Sequence, residues 1–181
     1  VLGIHAPHGD ELDECMDHAF ELLGTLPHGS RVIAIGDWNV DQMPTMSSEP
    51  WQEEPQRHLH HEERRATLRT WTEAFGLAIQ DITQSSGAFG GPWSELATLP
   101  PFSRMSLGAQ SDVARPSMLD YCISSPCLVS SSELAWRMAL ADHAALRVVC
   151  DLTCTSTPRP ARTWTPSDAL ACRASIATQF W

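Results

Sequence analysis

An acid and an amide that could take part in catalysis follow a short apolar stretch near residue 36. Residues 31–36 are rich in β-branched side chains and end at glycine, which is typical of a buried strand. Asp37 and Asn39 come directly afterwards, two positions apart, so an extended chain would turn both side chains to one side. A carboxylate beside an amide suits a hard cation or a phosphate oxygen. The plainer interpretation, an Asp-Asn turn that closes a strand, stays open at this point.

A second group of polar residues lies far downstream. Asp120 interrupts an apolar stretch, and a buried acid there needs a cation, a histidine or several hydrogen-bond donors. Asp142 and His143 directly precede another apolar run. An Asp-His pair near a separate buried acid is what a phosphoester hydrolase needs, because one carboxylate can hold a metal while the imidazole donates or moves protons. Taken singly, Asp142 could equally be a cap and His143 a turn residue.

The elements that must position these residues follow from the hydrophobic spacing. Residues 1–5 are apolar and lead into Ala6-Pro7, which predicts a strand that ends in a turn. Apolar side chains recur at three- and four-residue spacing between Leu12 and Leu23, which predicts a helix with one buried face. Together with residues 31–36 they predict a βαβ unit, whose second strand would carry Asp37 at its carboxyl end, where α/β sheets bind ligands.

Further elements are less regular in their spacing. Residues 42–60 lack periodicity and predict a long loop, and residues 83–116, rich in Gly, Pro and Ser, are expected to be irregular. A helix is predicted over residues 62–75, with its arginines pairing with glutamates in solvent. Further strands are predicted at residues 117–126, about 133–137 and 144–150.

A group of histidines and glutamates precedes and begins the predicted helix over residues 62–75. These residue types can bind metals, but their spacing places the ligands in no defined secondary structure, and polar loops collect histidine freely. The interpretation as a metal site therefore ranks below that of an ordinary polar segment. The group comprises His58, His60, His61, Glu62 and Glu63.

The composition indicates one acidic domain. The chain has 181 residues, 43% of them hydrophobic, and a formal charge of −10, and all 12 cationic side chains are arginine. An acidic surface argues against a protein that holds nucleic acid on a broad basic face. The six cysteines form no Cys-x-x-Cys pair, and several lie in apolar runs, so reduced thiols and an intracellular place, nuclear or cytoplasmic rather than secreted, are expected. No apolar run approaches the length of a membrane span.

Four short motifs, in this order, resemble the endonuclease/exonuclease/phosphatase family, whose fold is a four-layer α/β sandwich. The resemblance covers residues 1–152, and within the family the chain looks most like the apurinic-type endonuclease domain of non-LTR retrotransposons, which precedes a reverse transcriptase. It implies metal-dependent phosphodiester hydrolysis, with DNA as substrate, Mg²⁺ or Mn²⁺ as cofactor and no membrane partner. The motifs are Ile4-His5-Ala6-Pro7, Gly36-Asp37-Trp38-Asn39, Leu119-Asp120-Tyr121 and Asp142-His143.

The resemblance implies a role for each matching polar residue. Asp37 would position or deprotonate the attacking water, and Asn39 would contact the scissile phosphate. Asp142, together with Asp37, would hold the divalent cation. His143, oriented by Asp120, would stabilise the charge that develops on the phosphate.

The chain also departs from the family pattern. His5 stands where the family usually has a tyrosine beside the phosphate, and an imidazole can donate there, but its charge depends on pH. The family's first half supplies an asparagine and the glutamate that is the principal metal ligand, and neither can be placed in this chain. We therefore expect only part of the fold and weak or no nuclease activity. Residues 153–181 are expected to be a linker with a short helix at 167–180.

Two other functions stay open. One is a degenerate, non-catalytic remnant with at most a role in protein interaction. The other is a phosphatase that acts on a small phosphoester. The intact set of polar residues argues against long decay, whereas the missing half of the family pattern argues for inactivity.

Overall fold

A computed structural model describes residues 1–7, 11–27, 30–43, 55–84, 96–107, 114–140 and 142–153. This part of the chain is mixed α/β, with two sheets and few helices. The short helix predicted over residues 167–180 lies outside the described residues. The elements are β1 (Leu2–His5), α1 (Leu12–Gly24), β2 (Ile33–Asp37), α2 (Pro55–Ala74), β3 (Ala78–Ile79), β4 (Thr83–Gln84), β5 (Arg104–Leu107), β6 (Ala114–Ser117), β7 (Asp120–Ser124), β8 (Val129–Leu140) and β9 (His143–Cys150).

The first sheet has the strand order β1-β2-β7-β3. β1 runs parallel to β2, and α1 connects them in the chain, so the predicted βαβ unit is confirmed. β2 and β7 are antiparallel, in a register that places Asp37 opposite Asp120. The carboxyl end of β2 therefore meets the amino end of β7, and this meeting point brings the two separate polar groups of the sequence together.

The second sheet has the strand order β4-β8-β9-β5-β6. β8 and β9 form a long antiparallel hairpin, and β5 pairs with the start of β9 through Arg104 and His143. Two backbone hydrogen bonds extend this contact: Met105 N donates to Asp142 O at 3.0 Å, and Ala144 N donates to Ser103 O at 2.7 Å. Residues 103–105 thus lie against residues 142–144.

Buried side chains of both helices and both sheets form one apolar core. Trp38, Trp71 of α2 and Tyr121 of β7 are all at most 1% exposed. Trp38 stacks on Tyr121, with 5.8 Å between ring centroids, and its indole N–H donates to Tyr121 O at 3.1 Å. The residue after Asp37 is therefore an anchor of the core. From α1, the predicted apolar face is buried through Leu12, Met16, Ala19 and Leu23.

Three predictions about the elements were wrong. α2 begins at Pro55, inside the predicted loop over residues 42–60, and proline suits the first turn of a helix because that turn needs no N–H partner. β5 and β6 lie within the stretch predicted to be irregular, where β6 is an edge strand that tolerates Pro116. β8 extends well beyond the predicted residues 133–137, because its serine-rich start is paired with β9.

Candidate active site

A glycine sets the path of the chain into the candidate site. Gly36 has φ +147°, and a Cβ built on it would lie 1.9 Å from Ile4 O of the neighbouring strand. Only glycine allows β1 to pass so close. Asn39, two residues after Asp37, adopts the left-handed conformation with φ +49°, which asparagine tolerates better than most residues. The chain thus turns sharply as soon as it leaves β2.

The turn after β2 fixes Asp37 and Asn39 against each other. Asp37 Oδ1 accepts a hydrogen bond from Asn39 N at 2.9 Å, and the Asn39 side-chain amide donates to Ala6 O. Ala6 N in turn donates to Asp37 O at 2.8 Å. The Asp37 side chain is only 15% exposed. Its Oδ1 is therefore held within this turn.

Ser103 holds the start of β7, where Asp120 lies. Its Oγ accepts hydrogen bonds from Leu119 N at 2.9 Å and from Asp120 N at 2.8 Å. Ser103 is fully buried, and its carbonyl accepts from Ala144 N, as described above. One residue therefore ties the backbone of Asp120 to the backbone beside His143.

His143 and Asp120 form a hydrogen-bonded pair, with 2.8 Å between Nδ1 and Asp120 Oδ2. Because a carboxylate accepts, the imidazole donates its Nδ1–H, and Nε2 is the ring nitrogen left to act on a ligand. Asp37 completes the group: one ligand atom each from Asp37, Asp120 and His143 lie within 4.8 Å of one another. The structure thus brings together three of the predicted residues.

Asp142 is engaged outside this group. Its Oδ2 accepts from Arg104 Nε at 3.0 Å, and its Oδ1 lies 4.0 Å from His143 Nε2. The hydrogen bond from Arg104 lowers the pKa of the Asp142 carboxyl below its ordinary value. The predicted ligand Asp142 therefore flanks His143 as the partner of an arginine.

The remaining candidate histidines lie at the margin of the site or outside it. The His5 side chain is 84% exposed, and its Nδ1 lies 3.9 Å from Asp37 Oδ2. His61 lies elsewhere, with its Nδ1 4.0 Å from Asp41 Oδ2. The side chains of His58 and His60 fall outside the described residues. His5 is thus within reach of a ligand at Asp37.

Sequence reasoning missed Ser103 and Arg104. Both lie in the stretch predicted to be irregular, and a single Ser-Arg pair among many serines and prolines carries no periodic signal. One sequence feature could have indicated that this stretch is ordered. Phe102, an apolar residue directly before them, is fully buried in the structure. The pairing of β5 with β9, which brings them to the site, is a contact distant in sequence.

The comparisons with known proteins add no assignment. No protein-family model, curated protein or solved structure matches this chain. Among the described residues, no helix combines the length and the apolar character needed to cross a membrane.

Proposed function

We propose that this chain carries a metal-dependent phosphodiesterase site, a DNA endonuclease of the retroelement type. The observation that supports it is the convergence of Asp37, Asp120 and His143 within 4.8 Å, with His143 oriented by Asp120. The proposal includes the finer fold, the C-terminal part of an endonuclease/exonuclease/phosphatase sandwich, and a reverse transcriptase in the same longer polypeptide. The order of the four motifs supports the fold, and the resemblance to the endonuclease domain of non-LTR retrotransposons supports the reverse transcriptase.

The chain's own residues divide the work on the phosphodiester. Asp37 accepts the proton of the attacking water on a lone pair that the hydrogen bond from Asn39 N leaves free, since an ionised carboxylate has about four acceptor sites. His143, in its protonated form, donates from Nε2 to a phosphoryl oxygen, while Asp120 keeps the ring in position through Nδ1. Asn39 retains one amide hydrogen to donate to the phosphate, because its other amide hydrogen binds Ala6 O.

The donor set fits a hard divalent cation. Two carboxylates in a half-buried cluster match the one or two protein carboxylates with which Mg²⁺ or Mn²⁺ is commonly held, water and substrate phosphate supplying the other ligands. Asp37 and Asp120 would hold the ion, with Asp142 removed from this role by Arg104. When bound, it supplies charge neutralisation at the phosphate. With so few protein ligands among the described residues, we expect weak binding and slow turnover.

The experiment is hydrolysis of three substrates with Mg²⁺ or Mn²⁺: supercoiled plasmid, bis(p-nitrophenyl) phosphate as a diester, and p-nitrophenyl phosphate as a monoester. Asp37→Asn and His143→Ala are compared with the matched controls Asp81→Asn and His18→Ala, whose side chains are exposed and outside the cluster. We expect the parent to nick the plasmid and to cleave the diester. Both rates should fall at least about a hundredfold in each site variant, because each variant lacks a group that accepts or donates a proton.

The outcomes separate the alternatives. Activity that is abolished by EDTA and by both site substitutions, but kept by both controls, supports the proposal. Cleavage of the monoester alone would replace it with the small-phosphoester phosphatase. No cleavage of any substrate by the folded chain would overturn it in favour of the non-catalytic remnant.

A further inference from the structure

Two adjacent arginines of α2 reach the loops of the candidate site instead of solvent, contrary to the sequence prediction. Arg64 and Arg65 are 9% and 5% exposed. Arg64 Nη2 donates to Pro7 O at 3.4 Å, in the turn after β1. Arg65 donates from Nε to Asp41 O and from Nη2 to Met43 O at 2.6 Å, in the turn after β2. One helix thus contacts both loops that leave the carboxyl ends of β1 and β2.

Asp41, four residues after Asp37, links this turn to the residues before β7. Its Oδ1 accepts from Met43 N at 2.9 Å and from Met118 N at 2.8 Å. The backbone continues the link, because Gln42 N donates to Met118 O at 2.9 Å and Trp38 N to Leu119 O at 2.9 Å. The segment after Asp37 is therefore bonded to the segment before Asp120.

The guanidinium of Arg65 fixes the shape of the turn over residues 41–43. Its planar fork contacts two carbonyl oxygens of one turn at once, which an ammonium cannot do in the same way. Glu62 Oε1 accepts from its Nη1 at 2.5 Å and balances the buried charge. A buried ion pair is weak grounds for stability by itself, so a role in fixing a particular arrangement is the more specific interpretation.

We propose that Arg65 and Asp41 form a positioning unit that sets the separation of Asp37 and Asp120. Arg65 holds the turn over residues 41–43 from one side, and Asp41 bonds that turn to the residues before Asp120 on the other. Neither side chain touches the reacting atoms. The local claim stands on the hydrogen bonds alone, whereas its catalytic consequence rests on the function proposed above.

The test is amide hydrogen exchange by NMR in Arg65→Lys, with Arg69→Lys as the matched control on the exposed face of the same helix. We expect exchange at Asn39 and Met43 to speed up at least about tenfold in Arg65→Lys, because the ammonium cannot replace both guanidinium hydrogen bonds to the turn. The control and the amides of the β8–β9 hairpin stay within about twofold. Equal exchange in both variants would overturn the proposal.

The second measurement is steady-state kinetics of phosphodiester hydrolysis. In Arg65→Lys and in Asp41→Asn, kcat should fall about tenfold or more while KM changes little, since the substrate contacts remain and the catalytic carboxylates are displaced. A general loss of stability would instead lower the active fraction and the exchange protection everywhere. Should Arg65→Lys fail to fold, Asp41→Asn decides the exchange test. If the parent hydrolyses nothing, the proposed function fails, and the exchange result still decides the positioning unit.

Discussion

At the scale of single residues, the site depends as much on groups that place the backbone as on groups that could act on a substrate. Asp37, Asp120 and His143 were predicted from their residue types, and the structure brings them together. Ser103, which holds the backbone of Asp120, was missed, because nothing in a Ser-rich stretch distinguishes the serine that becomes buried. Chemically distinctive residues can be found from sequence, whereas those that position them depend on tertiary contacts.

Gly36→Ala tests the close approach of β1 and β2. The new Cβ would collide with Ile4 O, and the φ of +147° is unfavourable for alanine. We expect a loss of about 2–4 kcal/mol in the free energy of unfolding, from backbone strain and displaced packing. Urea denaturation measures it.

The matched control is Gly3→Ala, on the same pair of strands, where an added Cβ meets nothing within 4 Å. Its unfolding free energy should change by less than about 1 kcal/mol. Equal destabilisation by both substitutions would contradict the collision as the cause.

At the scale of elements, local pattern predicted what local forces determine. α1 and β2 were found because burial on one helix face and a β-branched run leave periodic traces. The start of α2 was missed because residues 55–60 have no apolar spacing. β5 and β6 were missed because four-residue strands draw their stability from partners distant in the chain. β7, an inner strand of its sheet, carries titratable side chains into the core.

The free energy of unfolding should fall at alkaline pH, because β7 buries two side chains that lose protons there. Burial raises the pKa of Cys122 from 9.0 to about 11, and burial likewise raises the pKa of Tyr121. The folded state therefore retains protons that the unfolded state releases, so this stability is complete below about pH 9 and is lost as pH rises through about 11. For Cys122 the loss is about 2–3 kcal/mol. Urea denaturation between these pH values measures it.

Cys122→Ala should flatten the first part of this profile, because the titrating thiol is gone. Cys127→Ala, which removes an exposed thiol, should keep the parent's pH dependence whatever its absolute stability. A parent whose stability stays constant from about pH 8 to 11 would contradict the assignment.

At the scale of the whole molecule, the net charge disfavours the substrate that the site is proposed to bind. A formal charge of −10 repels polyanions, yet the proposed substrate is one. A cation at Asp37 and Asp120 would relieve the local repulsion without changing the rest of the surface. Any affinity for DNA should therefore come from the site and its ion, with no contribution from a broad basic face.

DNA binding without divalent ions should accordingly be weak. We expect a Kd above about 10⁻⁴ M for duplex DNA at about 0.15 M salt, because few phosphates find cationic partners. Fluorescence anisotropy with EDTA, at low and moderate salt, measures it. Tight binding with a steep salt dependence would indicate a basic DNA-binding surface and contradict this expectation.

The pairing of Asp37 with Asp120 across β2 and β7 has a consequence for how preparations of this protein behave. Side chains alternate between the faces of a sheet, so a slip of one residue would send the two carboxylates to opposite faces. Because register changes in whole residues, there is no intermediate pairing in which the two carboxylates lie partly together. Each molecule therefore either carries the site or lacks it. An active-site titration then counts correctly paired molecules, so a slipped register lowers the number of sites, whereas a displaced carboxylate lowers the rate at each site.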